Sequence, residues 1–136
     1  MRINVWISFN GFKEGAYTGF SFPYVASCPS KGRSVEYGSI MDVYDEITRL
    51  YDKAKARKVN LGESLYQYTF HFVDHALLLD NTMQNRIREY QFCKQFSCPP
   101  YPSLQETPAN IIEQFSVIEE EFNACVAKQQ QEKKNA

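Results

Sequence analysis

The stretch YQYTFHFVDHALLLD, residues 66–80, carries the side chains best suited to chemistry in this chain of 136 residues. It contains both histidines, His71 and His75, and the two carboxylates Asp74 and Asp80. If the stretch is helical, the two histidines lie one turn apart on one face, where a neighbouring aspartate would add an oxygen ligand. His71, Asp74 and His75 are therefore the candidate ligands of a metal-dependent enzyme.

The same stretch also fits a β-strand, because aromatic residues occupy alternate positions. These residues are Tyr66, Tyr68, Phe70 and Phe72. On a strand, His71 and His75 would be about 13 Å apart at roughly 3.3 Å per residue, too far to share a metal ion. We favour a strand near residues 65–73, a helix that begins between residues 74 and 80, and hence no metal or other cofactor. One continuous helix over residues 63–80 is the alternative.

The cysteines do not form a recognisable zinc motif. They are Cys28, Cys93, Cys98 and Cys125. The nearest two have four residues between them, whereas structural zinc sites use tighter pairs at both ends. The N-terminal stretch MRINVWISFNGF has too short an apolar run, and no small-residue cleavage site, for a secretory signal. We therefore expect reduced thiols and a cytoplasmic protein.

Composition argues against several classes of function. A formal net charge of −1 is not that of a protein that holds nucleic acid across a broad basic face. The chain has no run of about 18 apolar residues, so no membrane-spanning helix is predicted. The stretch SKGRS lacks the full motif of a phosphate-binding loop, although Lys31 and Arg33 are candidate phosphate contacts within it.

The N-terminal part of the sequence predicts a β-hairpin. Residues 2–9, RINVWISF, alternate in polarity and include β-branched residues, as a strand does. The pair Asn10-Gly11 suits a tight turn, and residues 17–26, YTGFSFPYVA, would return as the second strand. The turn-forming stretch SCPSKGRS then precedes a short third strand over residues 35–37.

Two later stretches predict helices. From Ser39 the apolar residues follow a helical period, with Ser39 as the N-cap and Asp42 beside the positive helix end. The last turns of this helix carry the basic cluster KAKARK. The pair Thr107-Pro108 would start another helix, which ends in a polar tail, residues 128–136, that we expect to fray.

Together these elements predict an α+β fold. A small antiparallel sheet, made of the N-terminal hairpin plus a strand near residues 65–73, would pack against about three helices in the order β-β-(β)-α-β-α-α. Residues 1–127 form a single domain in this prediction, because a chain of this length can bury one core.

The leading functional hypothesis is a non-catalytic protein-binding module, an inhibitor or adaptor. Aromatic residues make up 15% of the chain, and no catalytic set of residues is assembled. The string SFNGF and the small size suggest a phage or mobile-element accessory protein that blocks a host defence complex. The candidate contacts are aromatic and basic residues: Trp6, Tyr17, Tyr24, Lys31, Arg33, Tyr37, Lys53, Lys55, Arg57 and Lys58.

Two other functions stay open. The first is a small ligand- or nucleotide-binding protein, in which aromatic rings stack on a base while lysine or arginine neutralises phosphate. The second is the metal-dependent enzyme that His71, Asp74 and His75 would form on a continuous helix. A protein partner is the expectation under the leading hypothesis, and a nucleotide ligand under the first alternative.

Overall fold

The structure is a computed structural model that describes residues 1–11 and 21–135. Its elements in chain order are α1 (Arg2–Asn10), β1 (Tyr24–Cys28), β2 (Arg33–Tyr37), α2 (Ile40–Ala56), α3 (Leu61–Thr69), α4 (His75–Leu78), α5 (Asn81–Gln95) and α6 (Ala109–Asn135). The α+β class is confirmed, since helices accompany a small antiparallel sheet that has two strands within the described residues. No helix in these ranges is long and apolar enough to cross a membrane.

The N-terminal residues form a helix, so the prediction of a strand over residues 2–9 is wrong. Every residue of α1 from Ile3 to Ile7 is buried, because α3, α5 and α6 pack around this helix. A helix buried on all sides lacks a polar face, and its β-branched residues then imitate a strand. Asn10 and Gly11 end the helix, and Gly11 has a positive φ of 80° and donates its N–H to the carbonyl of Ile7.

The sheet is a hairpin that lies later in the chain than predicted. β1 pairs antiparallel with β2, and Tyr24 lies opposite Tyr37. The turn falls within SCPSKGRS, as the sequence predicts, and Gly32 has a positive φ of 67° there. The predicted strand over residues 35–37 is confirmed as part of β2. The predicted strand over residues 17–26 overlaps β1 only at its end, and its first residues lie outside the described ranges.

α2 confirms the helix predicted from Ser39. Ser39 occupies the N-cap position, and the carboxylate of Asp42 accepts a hydrogen bond of 2.8 Å from the N–H of Gly38. The buried side of α2 includes Val43 and Leu50. This side packs against α3, and α2 also contacts β2, so the hairpin and α3 are both held by α2.

α3 replaces the strand predicted near residues 65–73, and that prediction is wrong. The side chain of Asn60 caps the helix by accepting a 2.7 Å hydrogen bond from a first-turn N–H. The alternating aromatic residues do not share one environment, since Tyr66 and Phe72 are buried whereas Tyr68 is 44% exposed. The cap and the packing of α3 against α1 outweigh the strand propensity of the alternating residues.

The C-terminal half of the chain is helical. The side chain of Asp74 caps α4 and that of Asp80 caps α5, so the predicted helix start between these residues is confirmed. α6 begins at Ala109, directly after Thr107-Pro108, as predicted. Residues 128–135 belong to α6, and their fraying stays a prediction.

The core is built largely from aromatic rings that are distant in sequence. Tyr24 stacks on Tyr37 with ring centroids 5.3 Å apart, and Tyr37 stacks on Phe72 at 5.5 Å. A second cluster joins α1, α5 and α6: Val5, Ile87, Tyr90 and Ile118. Part of the aromatic excess in the sequence therefore serves the interior.

Candidate binding groove

The structure does not bring His71, Asp74 and His75 together as metal ligands. His71 is exposed in the turn after α3, whereas His75 begins α4 and is 1% exposed. The Nε2 atom of His75 lies 3.1 Å from the hydroxyl oxygen of Thr69 and 3.1 Å from the carbonyl oxygen of Tyr66. In the described part of the chain, no three His, Cys, Asp or Glu side chains are placed to hold a metal ion. This geometry lends no support to the metal-dependent enzyme.

Three aromatic residues predicted as surface contacts lie in the core, which corrects their predicted exposure. Trp6 and Tyr37 are each 1% exposed, and Tyr24 is 7% exposed. Tyr17 lies outside the described residues. The error for Trp6 follows from the wrong strand prediction, because a strand would have turned its ring away from the neighbouring apolar residues.

The predicted basic contacts are exposed and belong to two neighbouring elements. Lys31 and Arg33 lie in the β1–β2 hairpin, and the others lie at the end of α2: Lys53, Lys55, Arg57 and Lys58. The Nζ atom of Lys53 donates a 2.7 Å hydrogen bond to the carbonyl of Ser30, which joins the end of α2 to the hairpin turn. Lys53 and Arg57 also line a small pocket between α2 and α3.

A buried carboxylate connects the hairpin to α2. The Oε2 atom of Glu46 accepts hydrogen bonds from the thiol of Cys28 at 2.6 Å and from the hydroxyl of Ser30 at 2.7 Å. The guanidinium of Arg49 lies 3.3 Å from the same oxygen. Burial acts to raise the pKa of Glu46, but these hydrogen bonds outweigh it and hold the pKa below its ordinary value. Both Cys28 and Glu46 are fully buried, so the contact is structural.

A second buried carboxylate joins α1 to α6. Glu121 accepts a 2.7 Å hydrogen bond from the indole N–H of Trp6 and a 2.6 Å hydrogen bond from the guanidinium of Arg2. Cys125 lies one turn farther along α6, where burial raises the pKa of its thiol to about 12. A thiol with so high a pKa stays protonated at neutral pH and is a weak nucleophile.

An open groove of about 650 Å³ lies between the start of α1, one face of α2, α4 and the start of α5. We call it the α2–α4 groove. Its lining is mostly apolar and includes Ile3, Tyr44, Ile47, Tyr51, Leu65, Leu77, Leu78, Leu79, Met83 and Val117. The groove thus combines a large volume with a wall that offers hydrophobic contact.

Several large side chains at this groove are exposed to solvent. Tyr44 is 48% exposed, Leu77 is 38% exposed and Leu79 is 37% exposed. The hydroxyl groups of Tyr44 and Tyr51 have no hydrogen-bond partner within the described ranges. These side chains form an apolar rim with two free hydroxyl groups.

Three polar side chains of the groove already make contacts within the protein. Asn4 is 4% exposed, and its side-chain oxygen accepts the N–H of Asp80 at 3.0 Å. The carboxylate of Asp80 accepts the N–H of Met83 at 2.9 Å. Arg2 is paired with Glu121 at 2.6 Å. Most of the surface that an occupant of the groove would meet is therefore apolar.

The sequence prediction missed this groove because its walls come from distant segments: residues 1–4, 44–51 and 77–83 together with Leu65 and Val117. One local signal was present in the string DHALLLD. Its three consecutive leucines lie between two aspartates that cap α4 and α5, and consecutive residues of a short helix cannot all face one core. At least one of the three leucines therefore has to be exposed to solvent.

No family model, curated protein or solved structure matches this chain.

Proposed function

We propose that this chain is a non-catalytic protein-binding module, an inhibitor or adaptor, whose α2–α4 groove binds an amphipathic helix of a protein partner. The observation that carries the proposal is the exposure of large apolar side chains around a groove of about 650 Å³. Contiguous exposed apolar surface is typical of interaction sites. Ligand sites have volumes of about 300–1,000 Å³, so the groove is large enough to take several side chains.

Covering the rim would supply favourable free energy. Fully burying a large apolar side chain contributes about 1.5–3 kcal/mol. Leu77 and Leu79 retain 38% and 37% of their exposure, so covering each would add roughly 0.5–1 kcal/mol on that scale. Tyr44 adds an aromatic ring, and tyrosine is enriched among the residues that dominate binding energy at interfaces.

The shape of α2 favours a helical occupant. Tyr44, Ile47 and Tyr51 follow one another at spacings of three and four residues, so they form a single stripe on α2. This stripe spans about 10 Å at 1.5 Å per residue. A partner helix laid along it would insert apolar side chains that repeat every three or four residues, as in other helix-in-groove complexes. The tyrosine hydroxyls could then bond polar groups at the edge of that helix.

The role of inhibitor or adaptor requires a binding surface but no chemistry of its own. The engagement of the Glu46 and Glu121 carboxylates in structural contacts is consistent with that role. A phage or mobile-element accessory protein that blocks a host defence complex is the narrower form of the proposal. Its support is the small size of the chain and the string SFNGF.

Site-specific photo-cross-linking tests the proposal. The cross-linking residue p-benzoylphenylalanine replaces Tyr44 in the full chain, which is then expressed and irradiated in its natural cell. The matched control carries the same residue in place of Phe92, which is 58% exposed on α5 and does not line the groove. We expect one protein partner to be cross-linked from position 44 but not from position 92, through peptides that form an amphipathic helix.

Three outcomes would contradict the proposal. Cross-linking from position 92 alone would place the interface elsewhere. Cross-linking of position 44 to a second copy of this chain would make the groove a homodimer contact. Recovery of a small apolar molecule, with no protein cross-link at position 44, would make the chain a ligand-binding protein instead.

A further inference from the structure

A second concave site lies nearer the C-terminal end of α2, between the hairpin turn, the end of α2 and α3. It is a pocket of about 200 Å³ lined by Pro29, Leu50, Lys53, Ala54, Arg57, Val59, Ser64 and Tyr68. We propose that this pocket, which we call the Lys53 pocket, holds the phosphate of a small organic phosphate such as a nucleoside monophosphate, whose planar ring stacks on the exposed side chain of Tyr68. This inference does not depend on the proposed function of the α2–α4 groove.

The Lys53 pocket contains two positive charges, those of Lys53 and Arg57, that no carboxylate balances within the described residues. Neither Lys53 nor Arg57 has an Asp or Glu oxygen within 4.0 Å among residues 1–11 and 21–135. Arg49, one turn before Lys53, differs from both because it pairs with the buried carboxylate of Glu46 at 3.3 Å. The charge of Arg49 is thus used inside the fold, whereas those of Lys53 and Arg57 are available to a ligand.

Lys53 is also held in place before any ligand binds. Its Nζ atom donates a 2.7 Å hydrogen bond to the carbonyl of Ser30. An ammonium group has three donors, so two N–H bonds of Lys53 are left for an anion. Arg57 supplies a planar guanidinium, which can donate two parallel hydrogen bonds to phosphate oxygens.

The negative end of the α2 dipole does not cancel this attraction. α2 ends at Ala56, and the exposed carbonyls of a helix end correspond to about half a negative charge. Lys53 and Arg57 together carry two full positive charges. The local balance therefore favours an anion, and the exposed Lys31 of the hairpin turn adds long-range attraction.

The rest of the Lys53 pocket suits a ring attached to the phosphate. Tyr68 is 44% exposed and Val59 is 47% exposed, so the pocket lining also offers an aromatic ring and an apolar patch. Stacking of a base on an aromatic side chain contributes about 1–3 kcal/mol in nucleic-acid complexes. Ser64 adds a hydroxyl that can bond to a phosphate or a sugar.

Isothermal titration calorimetry of the full chain tests this inference. The titrants are inorganic phosphate, ribose 5-phosphate and adenosine monophosphate, each at low ionic strength. We expect adenosine monophosphate to bind at least tenfold more tightly than inorganic phosphate, because only the nucleotide can stack on Tyr68. Lys53→Ala and Arg57→Ala should each weaken nucleotide binding by about tenfold or more, and Tyr68→Ala should remove the preference for the nucleotide over phosphate.

The matched control is Lys55→Ala. This substitution removes the same charge from the same end of α2, but Lys55 does not line the Lys53 pocket, so binding should change less than twofold. Equal losses in Lys55→Ala and Lys53→Ala would overturn the inference, because they would indicate general attraction to a basic helix end. Absence of detectable heat with all three titrants would also overturn it. Far-ultraviolet circular dichroism of each variant verifies that it is folded.

Discussion

The indole N–H of Trp6 donates a hydrogen bond of 2.7 Å to Glu121, whose carboxylate is fully buried. The residue that makes room for this contact is Gly62 in the first turn of α3, since a Cβ atom there would collide with Glu121 and Trp6. One hydrogen bond therefore fixes the meeting point of α1, α3 and α6. The groove wall depends on this junction, because α1 and α3 both contribute to it.

Gly62→Ala tests that junction through the sign of its effect. In a helix without a collision, Ala in place of Gly stabilises by up to about 1 kcal/mol. Here overpacking and the displaced Trp6–Glu121 hydrogen bond should instead lower the free energy of unfolding by about 2–3 kcal/mol. Urea denaturation measures the difference. The control is Gly38→Ala, where the new Cβ meets only Asp42 at 3.4 Å. A stabilised Gly62→Ala protein would show that the junction is looser than described.

The lowered pKa of Glu46 predicts that the folded protein loses stability in acid. Its folded-state pKa lies below its ordinary value, so the contribution of its ionised form is fully present above the unfolded-state pKa of about 4.3. This contribution is lost as pH falls through the lower folded-state pKa. Denaturation curves measured between pH 7 and pH 3 should show the loss, and Glu46→Gln should reduce it. If the stability of Glu46→Gln fell with pH as much as that of the unmodified protein, Glu46 would not be the group responsible for the loss.

Removing the Glu46 carboxylate should also destabilise the protein at pH 7. Glu46→Ala leaves the donors of Cys28 and Ser30 without their acceptor, at about 1 kcal/mol for each lost hydrogen bond. We expect the free energy of unfolding to fall by about 2–3 kcal/mol. Glu36→Ala is the control, because Glu36 is exposed on β2 and surface substitutions usually change stability by about 0.5 kcal/mol or less.

The two histidines should respond differently to substitution. His75 is 1% exposed and stacks on Tyr66 with ring centroids 4.8 Å apart. His75→Ala should therefore lower the free energy of unfolding by about 2–4 kcal/mol through lost packing. His71 is exposed, and His71→Ala should change the free energy of unfolding by less than about 0.5 kcal/mol. Equal effects of the two substitutions in thermal or urea denaturation would contradict the placement of His75 in the core.

The backbone conformation of Lys58 predicts that glycine at this position stabilises the protein. It has a positive φ of 56° directly after the C-cap of α2, a conformation in which Gly is favoured over residues with a Cβ atom. Lys58→Gly should raise the free energy of unfolding by up to about 1 kcal/mol. Lys55→Gly, inside the last turn of the same helix, should lower it by about 1 kcal/mol. Effects of the same sign in calorimetric melting would show that the end of α2 is misplaced.

Local signals predicted the ends of elements well. A helix start between Asp74 and Asp80, the start of α6 after Thr107-Pro108 and the turn in SCPSKGRS were each predicted from a few residues. These features depend on hydrogen bonds within one or two turns of backbone. Such contacts are fixed by neighbouring residues, so the sequence alone determines them.

The errors arose where distant packing decides the structure. α1 is enclosed by four other helices, α3, α4, α5 and α6, and its apolar positions therefore carry no helical periodicity to detect. In α3 the alternating aromatic residues predicted a strand, whereas the structure has a helix whose first turn is capped by the side chain of Asn60. The groove could not be predicted either, because it requires α1, α2, α4 and α5 to be placed together.

The most direct test of the proposed function is the dissociation constant for the purified protein partner. Tyr44→Ala combined with Leu77→Ala removes two exposed side chains of the groove rim. At about 1–2 kcal/mol for each interface contact, we predict binding that is weaker by a factor of about 30 or more. Phe92→Ala should leave the dissociation constant within twofold of that of the unmodified protein. An unchanged constant in the double variant, or an equal loss in Phe92→Ala, would contradict binding in the α2–α4 groove.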